Sequence, residues 1–275
     1  MEGPRTSLLK KGWVKRKREN LTYHSRRDQR SVCTGGSRLD LAASKPLAAS
    51  KPIVTNTRKE NARLESHYGL PEEQRRLLAY GAVLALYRVE SPRILHLKVP
   101  LDQLREGLES AWEIAGREDA LNTLEWLLEE GHRARYDSLF LELKSGQPVQ
   151  EEEHKVSGEC FEAAKKVLSS KLGFTDEHFN GIQTIAAWDY DRVVNIARWS
   201  YALDYISEEE LWSYIKRAAE QASRTYHSWS DYFIAFAFGR GIAYHGDIYD
   251  IVWKGKELLQ SDPNSIWKEF EFKLK

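Results

Sequence analysis

The chain has 275 residues, of which 41% are hydrophobic and nine are tryptophan, which is enough apolar material for a buried core. No run reaches the roughly 18 consecutive apolar residues of a membrane helix, and no apolar segment follows the charged N-terminus as in a signal peptide. Two distant cysteines, Cys33 and Cys160, are typical of free thiols in a reducing compartment. These features argue against membrane-spanning and disulfide-rich classes and predict a cytoplasmic protein.

The net charge of zero conceals an uneven distribution of charge. Residues 1–60 contain 15 Lys and Arg against 5 Asp and Glu, whereas the other 215 residues contain 26 against 36. A basic segment therefore precedes an acidic one. The basic segment includes a tandem LAASKP hexapeptide at residues 41–52, and repetition with low hydrophobicity is typical of disorder. We predict a disordered basic arm over residues 1–61 and one helical domain over residues 62–275.

The arm carries a basic cluster that could bind nucleic acid through its phosphates, although most such segments are simply solvated tails. The cluster consists of Lys10, Lys11, Lys15, Arg16, Lys17 and Arg18. Nucleic acid is therefore expected as a partner only through this arm.

Helical periodicity begins near Leu70 and continues to the C-terminus with short breaks. Pro71 opens a first helix, which Ser91-Pro92 ends. Residues 93–100 are predicted as a short extended piece, and residues 144–157 as a polar surface loop. Further helices are predicted over about 101–115 and 118–132, around 161–168, after Thr175, and over 248–259.

Three successive helices form the centre of the domain. The first spans about residues 186–204, and the second begins with a capping box formed by Ser207 and Glu210. Ser228 and Asp231 predict the same arrangement at the start of the third helix. Asp262-Pro263 predicts the start of a last short helix. Because extended pieces are scarce, the predicted fold is all-α, a single multi-helix, bundle-like domain.

The first central helix is apolar around most of its circumference, so we expect it to be buried. Spacings of four, three and four residues place Trp188, Arg192, Asn195 and Trp199 on one stripe of this helix. A buried guanidinium needs a partner, because an unpaired charge away from water is very unfavourable. Arg192 is therefore predicted to have a partner in the folded protein.

Sequence motifs throughout the domain carry a family resemblance. In chain order they are LPEEQRRLLAYGAVLAL, ALNTLEWLLEEGHR, AWDYDRVVNIARWSYALDYISEEELW, SWSDY, FGRG and SDPNSIWKEFEF. Together they resemble the bacterial domain-of-unknown-function family 1266 from about Leu70 to the C-terminus. The resemblance implies an all-helical bacterial cytoplasmic domain with no assigned chemistry. It also implies relatives that lie near secretion-effector and toxin–immunity loci.

The sequence carries no local signature of catalysis or metal binding. Its eight histidines are scattered, without an H-E-x-x-H motif or a Cys-x-x-Cys pair, so no metal and no cofactor are expected. No G-x-S-x-G elbow surrounds a serine, and Gly239 and Gly241 of the GRG motif favour close helix packing or a helix end over phosphate binding. Carboxylates such as Asp189, Asp191 and Asp231 could serve as acid and base, but each also suits a helix N-terminus or a solvated face.

The strongest candidate site combines aromatic and cationic side chains from the central helices. It consists of Trp188, Asp189, Arg192, Asn195, Arg198, Trp199, Trp229 and Arg240, which Trp126 and His132 approach from a third helix. Arginines between aromatic faces can bind a carboxylate or phosphate, so one interpretation is a pocket for an anionic or planar ligand. The other, which we favour from the sequence, is an internal network that fixes helix register, with Asp189 or Asp231 pairing an arginine.

Two functions follow from these patterns. The first is a non-enzymatic binding module with another protein as its partner, in a toxin–immunity or secretion context, since an acidic surface can steer basic partners. The alternative is a hydrolase or transferase that acts on an anionic substrate in the tryptophan- and arginine-lined cleft. The binding module predicts arginines sealed in salt bridges. The enzyme predicts a concave pocket in which Arg192, Arg198 or Arg240 faces a carboxylate with a shifted pKa.

Overall fold

The computed structural model of the chain describes residues 60–146, 154–245 and 248–274. Residues 1–59 of the predicted basic arm, half of the predicted 144–157 loop, and Cys33 lie outside the described residues. Within the described residues every regular element is a helix, which confirms the all-α prediction. None of the described helices is both long and apolar enough to cross a membrane. The predicted division between residues 61 and 62 stays a prediction.

The helices follow one another with short connections. Residues 60–67 are helical, and a 3₁₀ turn, Ala79–Gly81, separates the first two numbered helices. In chain order the numbered helices are α1 Glu72–Leu78, α2 Ala82–Tyr87, α3 Leu101–Trp112, α4 Arg117–Glu129, α5 Arg133–Lys144, α6 Lys155–Leu172, α7 Asp176–Gly181, α8 Ala187–Ala202, α9 Glu208–Thr225, α10 Trp229–Tyr244, α11 Tyr249–Lys256 and α12 Ile266–Glu269. A π-helical turn, Glu257–Ser261, extends α11.

Helix α8 is the central element of the fold, as its apolar circumference predicts. Fourteen of its sixteen residues are buried, and it packs against α2, α4, α9 and α10. Gly239 of α10 lies directly against α8, since a Cβ atom at this position would stand 2.8 Å from the Cβ of Trp188. The glycine therefore allows the close helix packing that the sequence predicts.

The helix boundaries confirm some capping predictions and correct others. The Ser207–Glu210 capping box of α9 is present, with both hydrogen bonds. At α10 the Ser228 side chain accepts from the Asp231 amide, but the Asp231 carboxylate accepts from the amide of His227. The reciprocal bond of a capping box is made by the longer side chains of Glu or Gln, so the predicted box is only half formed.

Two other element predictions are wrong. The last helix does not begin at Asp262, because the Asp262 carboxylate accepts from the Asn264 amide in a turn, and Ser265 caps α12 instead. Helix α5 is absent from the prediction, because only three of its twelve residues are buried and its apolar periodicity is correspondingly weak. Residues 93–100, which are predicted as a short extended piece, contain no regular helix or strand.

Candidate ligand-binding site

A cavity of about 490 Å³ lies beside α8, between α3, the α4–α5 corner and α10. Its volume is within the range of small-molecule binding sites. Much of its wall is aromatic, and the Trp, Phe and Tyr side chains that line it are Trp112, Trp126, Tyr136, Trp188, Trp199, Phe236 and Tyr244. The stripe that periodicity places on α8 therefore contributes Trp188, Arg192 and Trp199 to a single concave surface.

The polar side chains of the cavity are mostly cationic. Arg88, Arg135, Arg192, Arg240 and His132 line it, and none of the described lining residues is Asp or Glu. A low-dielectric wall with charges of one sign concentrates ions of the opposite sign. The cavity is therefore an electropositive site with apolar walls.

Arg192 lies deep in this site and is only 7% exposed. Its Cζ atom lies 3.1 Å from the centroid of the Trp188 ring and 5.3 Å from that of Trp112. Its Nη1 atom lies 3.0 Å from Nδ1 and 3.4 Å from Nε2 of His132. Among the described residues, no carboxylate lies within ion-pair distance of Arg192. Its direct partners are the rings of Trp188, Trp112 and His132.

Arg240 approaches the same cavity from α10. Its Cζ atom lies over the rings of Tyr87 and Tyr244, at 5.1 Å and 5.4 Å from their centroids, and its buried Nε atom has no hydrogen-bond partner. No described carboxylate forms an ion pair with it. Burial and repulsion by Arg240, partly offset by the attraction of Asp189, together lower the pKa of Arg192 to about 9. The two guanidinium groups are therefore close enough to destabilise each other.

Asp189 is fully buried behind the cavity and fixes the corner between α4 and α5. Its carboxylate accepts from the backbone amides of His132 at 2.9 Å and Arg133 at 3.1 Å, which lie at the start of α5. It also faces His132 Nδ1 at 3.0 Å and Arg133 Nη1 at 3.3 Å. Desolvation raises the pKa of Asp189, but hydrogen bonds from His132 and the charge of Arg133 outweigh it and hold that pKa below its usual value.

The α4–α5 corner also depends on Gly131 and Arg133. Gly131 has a φ of +61°, and a Cβ atom there would stand 2.2 Å from Oδ2 of Asp189. Arg133 donates to the carbonyl oxygens of Leu127 and Leu128, which lie in the last turn of α4. Asp189 thus pairs with an arginine, as one interpretation of the sequence expects. The partner is Arg133, which the sequence did not single out.

Asn195 and Arg198 lie away from the cavity and hold the segment around α2. Asn195 Nδ2 donates to the carbonyl oxygen of Gly81 at 2.9 Å. Arg198 donates to the carbonyl oxygens of Ser91 at 3.0 Å and Ile94 at 2.8 Å, and its Nη1 lies 3.7 Å from a carboxylate oxygen of Glu90. These two candidate residues therefore have internal structural partners.

Trp229 also lies outside the cavity, in an aromatic cluster of the core. Its indole Nε1–H donates to the carbonyl oxygen of Phe270 at 2.8 Å, and its ring stacks on Trp267 with centroids 4.9 Å apart. Tyr80 and Phe272 pack against the same ring. The structure therefore divides the candidate set, and Trp188, Arg192, Trp199 and Arg240 are the members that line the cavity.

Several cavity residues were absent from the candidate set. Trp112 is on the apolar face of α3, where its spacing from Leu104 and Leu108 suggests only core packing. Arg135 and Tyr136 belong to α5, the helix that the sequence did not predict. Arg88 lies in the turn after α2, with its guanidinium 4.7 Å from the Trp199 ring centroid. No sequence spacing relates these segments, because only tertiary packing brings them together.

His132 is the cavity side chain best placed to exchange a proton. The carboxylate of Asp189 can only accept, so we assign the imidazole proton to Nδ1, which leaves Nε2 as an acceptor facing Arg192. Such a pair can either orient Arg192 or transfer a proton to a bound molecule. In the described residues, no cluster of three or more His, Cys, Asp or Glu side chains is arranged to hold a metal ion.

The fold and the site together define a helical protein with an arginine- and tryptophan-lined cavity beside its central helix. The chain belongs to the family described as "Protein of unknown function (DUF1266)", which matches residues 107–272. The match includes the cavity residues of α4, α5, α8 and α10. Leu84, Arg88 and Leu104 line the cavity from outside the matched segment.

Two curated relatives come from Escherichia coli (strain K12). "Uncharacterized protein YbeR" is 29% identical over 134 residues, which are 48% of this chain and 55% of the relative. "Uncharacterized protein YbeU" is 27% identical over 133 residues, again 48% of this chain and 55% of the relative. The chain therefore spans about half the length of the curated relatives that it matches. No solved structure matches it.

Proposed function

We propose that this protein binds a small organic anion in the cavity beside α8. The observation that carries the proposal is the pair Arg192 and Arg240, two neighbouring guanidinium groups on the cavity wall with no described carboxylate partner. A buried cation without a counter-charge is very unfavourable, and an anionic ligand would supply the missing charge. Guanidinium groups are also well suited to carboxylates and phosphates, which they bind through two parallel hydrogen bonds.

The partners of Arg198 differ from those of Arg192 and Arg240, and this difference supports the proposal. Arg198 lies on the same helix as Arg192 but has carbonyl and carboxylate partners within the protein. A network built only for stability would give Arg192 and Arg240 comparable partners. The small-ligand function is therefore better supported than the protein-binding function that the acidic surface suggests.

The proposal is tested by calorimetric titration and thermal unfolding of the full chain with a panel of anions, comprising phosphate, citrate, benzoate and adenosine monophosphate. We expect at least one anion to raise the unfolding temperature, because a ligand that binds only the folded state stabilises it by mass action. Arg192→Met and Arg240→Met should each abolish that shift.

Arg76→Met is the matched control for this experiment. The Arg76 guanidinium also lies over an aromatic ring, 5.5 Å from the centroid of Phe270, but it does not line the cavity. It should retain the shift with every anion that binds the unmodified protein. An anion shift that survives in Arg192→Met and Arg240→Met would place binding elsewhere and contradict the proposal.

A second candidate function, an enzyme acting on the bound anion, is supported by His132 on the cavity wall and Asp189 directly behind it. His132 would act as the acid or base, with Asp189 orienting its ring. Incubation with 4-nitrophenyl phosphate and 4-nitrophenyl acetate tests this candidate. A rate that is lost in His132→Gln while anion binding persists would support catalysis. Equal rates for both proteins would leave binding as the function.

A further inference from the structure

The hydrogen-bonding character of the cavity restricts the ligand more narrowly than charge alone. Among the described residues that line it there is no Asp, Glu, Asn, Gln, Ser or Thr. The polar groups that remain are guanidinium, indole, imidazole and phenol, and most of these donate hydrogen bonds. A ligand that fits should therefore accept hydrogen bonds at its charged end and donate few.

The walls next to Arg192 indicate the shape of the ligand. The Trp112 ring centroid lies 5.3 Å from Arg192 Cζ, so a group held by this guanidinium reaches the indole face. Leu104 and Leu108 of α3 are buried and continue the apolar wall beyond Trp112. Aromatic rings stack favourably in an offset or edge-to-face arrangement. A flat ring attached to the anionic group would fill this space.

We propose that the ligand is an aromatic acid, with a flat apolar ring, one carboxylate or phosphate group and no hydrogen-bond donor on the ring. This inference rests on the proposed function, since it places the anionic group at Arg192 and Arg240. The ring lies against Trp112 and the leucines of α3. Carboxylate and phosphate share the acceptor chemistry that the arginines recognise, and the experiment separates them.

A nucleotide is the main competing ligand, and the cavity lining disfavours it. The amino groups of adenine, guanine and cytosine need acceptors, and donors that lose water without gaining a partner lower the affinity. Polyphosphates are usually bound with magnesium, which is held by carboxylates. The described lining residues supply neither side-chain amides nor carboxylates.

Isothermal titration of the full chain with six matched probes tests the inference. They are 2-naphthoate, 2-naphthyl phosphate, the neutral 2-naphthamide, acetate, inorganic phosphate and adenosine monophosphate. We expect 2-naphthoate or 2-naphthyl phosphate to bind roughly 10- to 100-fold more tightly than 2-naphthamide, because charge-assisted hydrogen bonds are lost in the amide. The same probe should bind at least about tenfold more tightly than acetate, inorganic phosphate and adenosine monophosphate.

Two variants test which cavity residue binds the charged group of the ligand and which binds its ring. Arg192→Met should bring the affinity for 2-naphthoate down to that for 2-naphthamide. Trp112→Leu should weaken the naphthyl anions roughly threefold to tenfold and leave inorganic phosphate unchanged, because only the ring contacts the indole. If the Trp112→Leu variant does not fold, Trp112→Phe is measured in its place. Unfolding curves of each variant confirm that the fold is intact.

The possible results separate this inference from the proposed function. Tighter binding of adenosine monophosphate than of both naphthyl anions, still dependent on Arg192, would overturn the aromatic-acid inference and leave anion binding standing. Equal binding of 2-naphthamide and 2-naphthoate would overturn both. Failure of every anion to bind in an Arg192-dependent manner would also overturn both. Preference for the carboxylate or the phosphate then defines the charged group.

Discussion

Arg192 and Arg198 are six residues apart on α8 and are both buried, yet their surroundings differ. Arg198 holds the segment after α2 through the carbonyl oxygens of Ser91 and Ile94 and lies near the Glu90 carboxylate. Arg192 stacks on Trp188 and faces a cavity. A buried charge that is paired with carbonyl and carboxylate oxygens holds the fold together, whereas a functional charge is often retained at a cost to stability.

Without ligand, Arg192→Met should therefore be as stable as the unmodified protein, within about 1 kcal/mol, or more stable. Methionine keeps the apolar stem and removes a charge that Arg240 repels. Arg198→Met should lose roughly 3–5 kcal/mol, because it leaves the buried carbonyl oxygens of Ser91 and Ile94 without their donor and removes the cation beside Glu90. Urea unfolding at pH 7 measures both values. A larger loss for Arg192→Met than for Arg198→Met would show that Arg192 serves the fold.

The lowered pKa of Asp189 predicts how the stability of the protein depends on pH. This pKa is lower in the folded protein than in the unfolded chain, because hydrogen bonds from His132 and the charge of Arg133 outweigh desolvation. Such a carboxyl stabilises the fold above its unfolded pKa of about 4, and this contribution is lost as the pH falls through the folded value. Asp189→Asn should therefore be roughly 3–5 kcal/mol less stable at pH 7.

The difference between Asp189→Asn and the unmodified protein should shrink as the pH falls below about 4, because Asp189 itself then becomes protonated. Urea unfolding at a series of pH values from 7 to 3 measures this difference. A constant difference over the whole series would mean that Asp189 contributes packing and hydrogen bonding without a charge effect.

At the level of single helices, the capping box that the sequence predicts at the start of α9 is present in the folded protein. The Ser207 hydroxyl accepts from the Glu210 amide at 3.2 Å, and the Glu210 carboxylate accepts from the Ser207 amide at 2.9 Å. Glu210 also accepts from Arg117 of α4. The side-chain hydrogen bond from Arg117 and the backbone bond from Ser207 lower the pKa of Glu210 to about 2. One residue thus caps α9 and links it to α4.

Ser207→Ala should destabilise the protein by about 1 kcal/mol, because it leaves an amide of the first turn without its acceptor. Ser213→Ala is the matched control, since Ser213 is exposed within the same helix and alanine favours helices slightly more than serine does. Denaturant midpoints of the two variants measure the effect. Equal midpoints would mean that water replaces the cap without loss.

In the molecule as a whole, the N-terminal helices and the C-terminal segment complete one core. The Tyr80 hydroxyl donates to the carbonyl oxygen of Phe272, and Tyr232 donates to that of Tyr80 at 2.7 Å. Trp267 donates to the carbonyl oxygen of Ala79 at 2.8 Å. Residues more than 150 positions apart in sequence therefore satisfy one another's buried polar groups.

The segment matched by the family, residues 107–272, should therefore not fold cooperatively by itself. A fragment of residues 107–275 lacks the 3₁₀ turn and α2, which supply the Tyr80 contacts and line one side of the cavity. It would expose the aromatic cluster around Trp229 and Trp267. Near-ultraviolet circular dichroism and urea unfolding, compared with a fragment of residues 60–275, measure this. A sharp, equally stable transition in the shorter fragment would contradict the prediction.

The sequence alone determined the features that depend on near neighbours in the chain. Hydrophobic periodicity predicts the all-α fold and the burial of α8, because a helix presents residues three and four apart on one face. The capping box at Ser207 follows from two residues three apart. The stripe of Trp188, Arg192 and Trp199 follows from the same geometry, and all three line the cavity.

Only the tertiary structure decided what those residues face. Sequence spacing places Asn195 beside Arg192 on the stripe, yet Asn195 reaches Gly81, and Trp229 joins a separate aromatic cluster. Arg133 and Trp112 contribute to the site through contacts with Asp189 and Arg192 of α8, which lies far from them in the chain. The partner of a buried charge depends on the packing of several helices at once, and no local periodicity carries that information. The presence or absence of a counter-charge at Arg192, on which the proposed function depends, is therefore a property of the folded molecule.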